Sequence, residues 1–341
     1  MLSNPTTMTD LERDLMGLRQ YPPVLQQLNV TWRFIRRWPV IPMSILAVLI
    51  FCGIFAPALS THGEAAGGIR DRHYPPIWMQ DDRYDKLRAE GETPFNCLWS
   101  AVLGNPENTR RADVCNFHIF GTDHSGRDVY SRMMHGARIS LWVAAIALIF
   151  GFVVGTSMGV IGGYAGGWID EIITRAVDIW QALPFLMVAL VCVLIFGQST
   201  VLLLALMAAL SWVPFVRVIR GQTLTIKNQA FVDLARVAGC STPRILIRHI
   251  VPGVINTAVV IATLIVGSLI LAEAALSFLG AGVPAPDATW GSMVSEGRGY
   301  ISTAWWPTIL PGLAIFMVVM SLNFTGDWLR DRLDPRLQQI G

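Results

Sequence analysis

The sequence predicts an all-α membrane protein with six transmembrane helices and both termini in the cytoplasm. Three observations carry that prediction. Of 341 residues, 53% are hydrophobic and only 15% are charged, against about 25% charged in soluble domains. Mean hydropathy is +0.48, and the apolar residues gather in blocks long enough to cross a bilayer, which takes about 20 mostly apolar residues. Basic residues collect at alternate ends of these blocks, the pattern left by positively charged cytoplasmic loops. The net charge of +2 is too small to imply a nucleic-acid partner.

Spans are expected at Val40–Ser60, Ile139–Gly163, Ala176–Gly197, Val201–Val216, Val254–Leu279 and Pro307–Asn323. The third and fourth form a tight hairpin, separated only by Gln198–Thr200. Ala56-Pro57-Ala58 is weakly cleavage-like, but residues 1–39 are too long a lead for a signal peptide, so an uncleaved anchor is favoured. Arg33, Arg36 and Arg37 before the first span, Arg175 before the third, Arg217 to Arg248 between the fourth and fifth, and Arg330, Arg332 and Arg336 after the sixth all mark the cytoplasmic side. The organisation is then a cytoplasmic segment 1–39, a first helix 40–60, an extracytoplasmic segment 61–138 ending in an amphipathic helix over Arg127–Arg138, a core 139–327, and a cytoplasmic tail 328–341.

Within the spans a few residues stand out. Gly151, Gly155, Gly159 and Gly163 fall four apart on one stripe of the second span. Such stripes let helix backbones approach closely in lipid. The stripe is either a rigid seam within this subunit or a seam along which a helix slides. Pro184 and Pro311 are expected to kink the third and sixth spans. Glu273 lies inside the fifth span, and an ionisable residue there is a functional candidate by default. It either lines a substrate pathway or pairs with a polar group on a neighbouring helix. Asp178, three residues after Arg175, is expected at the cytoplasmic boundary.

The loop 217–252 has a shape of its own. Asn228–Ala238 lacks Gly and Pro and is expected to be helical, with Phe231, Leu234, Ala235 and Ala238 at i, i+3, i+4 and i+7. Asp233 and Arg236, three apart, suit a modest ion pair. Gly239 stops the helix as its C′ residue. Thr242 as N-cap and Pro243 as the first helical residue start a second helix over Arg244–Ile250, ending before Pro252. The resulting apolar knob suits a groove on another protein. It suits a lipid surface less, because that role calls for bulkier apolar residues and a lysine-rich face.

At these residues the sequence resembles a known family. Asp233-Leu234-Ala235, then Gly239, then Val251-Pro252 is similar to the EAA loop of permease subunits of binding-protein-dependent ABC importers, with Asp for Glu and Leu for the first Ala. Phe120 to Val129, with Gly121-Thr122-Asp123 and Gly126-Arg127-Asp128-Val129, resembles the G-T-D-x-x-G-R-D-V segment of the C-type permease in dipeptide, oligopeptide and nickel importers. Leu276-Ser277-Phe278-Leu279-Gly280 with Trp290-Gly291, and Gly326-Asp327 through Asp334-Pro335-Arg336, resemble two further segments of the same family. The resemblance implies the type I importer permease fold in a prokaryotic inner membrane. It implies half of a translocation pathway for peptides or similar small solutes. It also implies a second similar permease, two ATPase subunits and an extracytoplasmic solute-binding protein as partners. Phe231, Asp233, Leu234, Ala235, Ala238 and Gly239 would then couple to the ATPase.

The segment Thr61–Ile119 is much longer than the family's usual link. It holds Cys97 and Cys115 in a predicted oxidising compartment, and a disulfide between them is expected. His62, His73 and His118, with His124 and His135 beyond, fit no zinc spacing and are read as scattered surface histidines, so no metal is expected. Cys52 and Cys192 sit in apolar runs as core-like residues. The chain has no G-x-x-x-x-G-K-[ST], no H-E-x-x-H and no G-x-S-x-G. ATP and Mg are therefore assigned to partner subunits, and no cofactor or catalytic residue is expected here. The alternatives are the same importer type carrying nickel chelates or oligosaccharides, and an ion-gradient-driven secondary transporter, a class marked by inverted repeats and paired broken helices, which the sequence lacks.

Overall fold

The computed structural model describes residues 39–63, 67–68, 71–79 and 118–333. The chain divides into Met1–Ile41 and the unit Pro42–Gly341, and the account below concerns the second. Arg33, Arg36 and Arg37, Cys97 and Cys115, and the end of the tail from Asp334 lie outside the described residues.

Two helices come first, α1 (Val40–Ile54) and the single turn α2 (Ala56–Leu59). The expected first span is thus broken at Phe55. Pro57 sits at the start of α2 and cannot donate to the preceding turn. The main body is α3 (Val129–Ala165), α4 (Gly167–Ala182), α5 (Phe185–Phe196), α6 (Thr200–Lys227), α7 (Ala230–Val237), α8 (Thr242–Ile245), α9 (Val251–Phe278), α10 (Trp290–Gly297) and α11 (Trp306–Leu333). Among the described residues, four helical stretches are long and apolar enough to cross a membrane: Val129–Ala165, Thr200–Lys227, Thr242–Phe278 and Trp306–Arg332. The pair α4 and α5, bent by 78° at the Pro184 break, makes a fifth if it counts as one span. At 15 residues α1 falls short of a spanning length by itself.

Two prolines behave differently from one another. Before Pro184, Leu183 is pushed to extended backbone and the helix ends. Before Pro252 the chain stays helical, because residues Leu246–Ile250 form a π turn whose wider loop lets Val251 N–H reach the Leu246 carbonyl. The second helix of the loop therefore does not stop before Pro252 as expected. It runs on through α9.

The strongest packing joins α3 to α6, and the glycine stripe is its seam. A methyl at Gly151 would strike Ser211, at Gly155 the Trp212 carbonyl, at Gly159 Ile219 and at Gly163 Thr223. All four glycines therefore face one partner helix within this subunit. Lys227 donates to the Gly163 carbonyl at 2.8 Å and closes the far end of the seam. Trp142, Ile149, Val153 and Leu194 stay exposed, as lipid-facing side chains must.

One apolar core lies toward the start of α3, where Val129, Met133 and Val143 meet Leu269, Ile270, Trp290 and Trp306. A second lies toward its end, where Val160, Phe215, Ile219, Ile226, Ile250 and Val254 enclose Val232 and Ala235 of α7. The body therefore has an α10 end and an α7 end, joined by α3, α6, α9 and α11.

Candidate functional site

At the α7 end, eight residues make two helical turns with two apolar faces. Val232 and Ala235 are buried against α6, α8 and α9. Phe231, Leu234 and Val237 project outward, with Val237 87% and Leu234 69% exposed. Ala238 and Gly239 are exposed beside them. The expected docking face changes in one member. Ala235 belongs to the anchoring face, because residues 232 and 235 point to the core cluster, and Val237 takes its place outside. Spacing carried the signal for Val237, which stands three residues after Leu234. Gly239 adopts φ +75°, and a Cβ added there would meet nothing within 4 Å. The backbone, not crowding, calls for glycine, since this is the left-handed C′ conformation. The Asp233–Arg236 pair forms at 2.9 Å on the exposed surface. Ser241, one residue before the expected Thr242, is the N-cap of α8.

Asp178 is exposed and pairs with Arg217 of α6 at 3.2 Å. Glu273 is fully buried between α3 and α9, accepting from Ser140 at 2.9 Å and Ser277 at 2.7 Å. No part of it reaches the surface.

At the α10 end the segment 118–128 folds into a polar layer. Gly121 and Gly126 take positive φ. Asp123 Oδ1 accepts from the Ser125 and Arg127 amides at 2.8 and 2.9 Å and shapes the turn. Its other oxygen accepts from Arg127 Nε at 2.8 Å and Arg132 Nη1 at 2.6 Å. The same two guanidiniums donate to Glu296 of α10 at 2.6 and 2.8 Å. Arg132 is 1% exposed. The expected amphipathic surface helix is thus the first turns of α3, with one arginine buried. A sequence shows the four charges but not that Arg127 and Glu296, 169 positions apart, are partners. Trp290 fills the space beside α3 and donates to the Met133 carbonyl at 3.1 Å. Gly291 is required because a side chain there would strike the Ala274 backbone of α9.

Burial alone would raise the Asp123 carboxyl, but the Arg132 and Arg127 charges outweigh it and hold the group below its ordinary 3.8. Glu296 is likewise lowered, against burial, by its bond to Arg132. A depressed carboxyl contributes stability that is fully present above its unfolded value and lost as pH falls through the folded one. The thermal midpoint of the purified protein is therefore expected to fall as pH drops below about 4. A midpoint flat from pH 5 to pH 3 would contradict this.

Two of the five histidines expected at the surface are buried instead, while His73, His124 and His135 are partly exposed. His62 and His118 are 6% and 7% exposed and stack with ring centroids 4.7 Å apart. Both face Asp128, the N-cap of α3.

Residues 137–339 match the family described as "Binding-protein-dependent transport system inner membrane component". The chain is 39% identical over 234 residues to the dipeptide transport system permease protein DppC of Alkalihalophilus pseudofirmus, covering 69% of this chain and 77% of that one. It is 39% identical over 220 residues to the oligopeptide transport system permease protein OppC of Haemophilus influenzae, covering 64% and 71%. It is 40% identical over 221 residues to the glutathione transport system permease protein GsiD of Escherichia coli, covering 65% and 73%. Among solved structures, the inward-facing MetNI methionine ABC transporter aligns with a TM-score of 0.51 at 18% identity, covering 59% of this chain and 96% of that one. That likeness bears on the fold alone.

Proposed function

Because this chain belongs to the family of binding-protein-dependent transport system inner membrane components, we propose that it is the permease subunit of an ATP-binding-cassette importer that α7 couples to its ATPase. The α7 end then faces the cytoplasm, and the α10 end faces the extracytoplasmic binding protein. A second similar permease completes the pathway, and two ATPase subunits bind ATP and Mg. The cargo class is small peptides, glutathione included, since the relatives named for transport of these compounds cover most of the chain.

The observation that carries the reading is the outward face of α7. Phe231, Leu234 and Val237 are large, apolar and exposed on a helix whose other face is locked into the core. Side chains of this kind stabilise a complex by about 1.5–3 kcal/mol each on full burial, and an amphipathic helix in a partner's groove buries them together. ATP-driven closure of the ATPases then moves α7. The π turn and α9 carry that movement into the spans without a flexible joint.

The test is co-purification of the ATPase with Leu234→Glu/Val237→Glu protein. These positions are exposed, so the fold is expected to survive. Losing two apolar contacts is expected to weaken ATPase binding by about 100-fold to 10,000-fold and to abolish peptide uptake. Wild-type ATPase retention by this variant would overturn the assignment of α7. Uptake of dipeptides driven by an ion gradient without any ATPase would overturn the importer reading itself.

A further inference from the structure

We propose that His62, His118 and Asp128 form a binding site for one divalent transition-metal ion of the zinc class, which clamps both ends of the long segment after α2 onto the first turn of α3. All three residues precede the 137–339 stretch that matches the family, and the site does not rest on the transport reading.

The donor set is two imidazole nitrogens and one carboxylate, all buried. Zinc takes such sets at about 2.0–2.2 Å, leaving a fourth position for water or a hydroxyl. Donors on a tetrahedral zinc then stand about 3.3–3.6 Å apart. Here His118 Nδ1 lies 2.9 Å and His62 Nδ1 3.8 Å from the Asp128 oxygens, and all three donors lie within 4.8 Å of one another. Rotation of the rings closes the remaining difference. Thr61 Oγ1 hydrogen-bonds with His62 Nδ1 at 2.9 Å and with Ser131 Oγ at 3.2 Å.

The site is held from behind. Ser131 Oγ accepts from the backbone N–H of Thr61 and His62 at 3.1 and 3.0 Å, fixing that end of the segment to α3. Asp128 Oδ2 accepts from the Ser131 amide at 2.7 Å, which orients the carboxylate. Tyr74 packs edge-on against His118. Such outer partners position ligands in metal sites.

Charge separates this cluster from its neighbour. Asp123, His124 and Glu296 also lie close enough to share an ion, but Arg127 and Arg132 already occupy their carboxylates. A dication there would meet two guanidiniums. Among the described residues, Asp128 has no arginine or lysine partner, and only the two histidines meet its charge.

The test uses the full chain in its complex, purified with a tag free of histidine, stripped with chelator, incubated with Zn²⁺ alone and dialysed. Elemental analysis is expected to find one zinc per permease chain, with a raised thermal midpoint that a chelator reverses. His62→Ala/His118→Ala protein is expected to bind more than about 100-fold more weakly, since even outer partners are worth about 10–100-fold, while His124→Ala protein keeps its ion. No zinc above background in the wild type, or full retention by the double variant, would overturn the proposal. Should the double variant not fold, X-ray absorption at the zinc edge of the wild type decides. Two imidazole ligands are expected, and any other count refutes the site.

Discussion

Arg132→Met is expected to destabilise the protein by about 3–5 kcal/mol, the range seen when one partner of a buried ion pair is removed. Arg132 is 1% exposed. It donates to Asp123 at 2.6 Å and to Glu296 at 2.8 and 3.3 Å. Methionine fills much of the space but leaves two carboxylates sharing Arg127 alone. The cost should therefore come from uncompensated charge rather than from a cavity. Adding Glu296→Gln to the Arg132→Met background removes one of those charges. The double variant is expected to be more stable than the sum of the single changes predicts, by about 0.5–3 kcal/mol of coupling. Arg132→Lys keeps the charge but not the fork that holds both carboxylates, and it should fall between the wild type and Arg132→Met. Unfolding in detergent measures all three. A loss below about 1 kcal/mol for Arg132→Met, in the range of an exposed pair, would show that the network does not bind α3 to α10.

The contrast between this network and the spans shows what a sequence exposes. Spans follow from hydropathy summed over many residues, and the cores of α3, α6, α9 and α11 lie inside the expected stretches. Their ends do not. Helix α6 runs on to Lys227, and α3 begins at Val129, because polar residues continue a helix once its neighbours hold it. Gly155 and its companions were legible because four glycines at equal spacing on one stripe have few other uses. Pro184 and Pro252 were not separable, since a break and a π turn differ in backbone that only the packed state selects. On α7 two apolar stripes compete, and periodicity cannot say which faces inward. The core cluster around Ile226 and Val254 claims Val232 and Ala235, and Val237 is left outside. His62 stands far along the chain from His118 and Asp128, so no local spacing could mark the three together.

Glu273 offers the second large effect, because its surroundings separate two roles that its position in a span left open. A residue lining a pathway must meet solvent or cargo. Glu273 is 0% exposed, and Ser140 of α3 and Ser277 of α9 both donate to it. It accepts from hydroxyls across the α3–α9 contact, with Thr289 at the start of α10 a further partner, beside Gly291, which packs on Ala274. Glu273→Gln retains a carbonyl acceptor of the same length, and it is expected to keep fold and transport within about 1 kcal/mol, the worth of one ordinary hydrogen bond. Glu273→Lys places an ammonium opposite three hydroxyls, of Ser140, Ser277 and Thr289, with no counter-charge among them. Lysine at the centre of a membrane helix costs about 2.5–3.5 kcal/mol; position 273 lies nearer the end of α9 but is 0% exposed, so the ammonium there is held from water. The expected result is loss of folded protein from the membrane, read as the monodisperse fraction after solubilisation. A Glu273→Gln protein that folds normally but loses peptide uptake would sink the packing role, because the amide preserves the contact and removes only the capacity for charge.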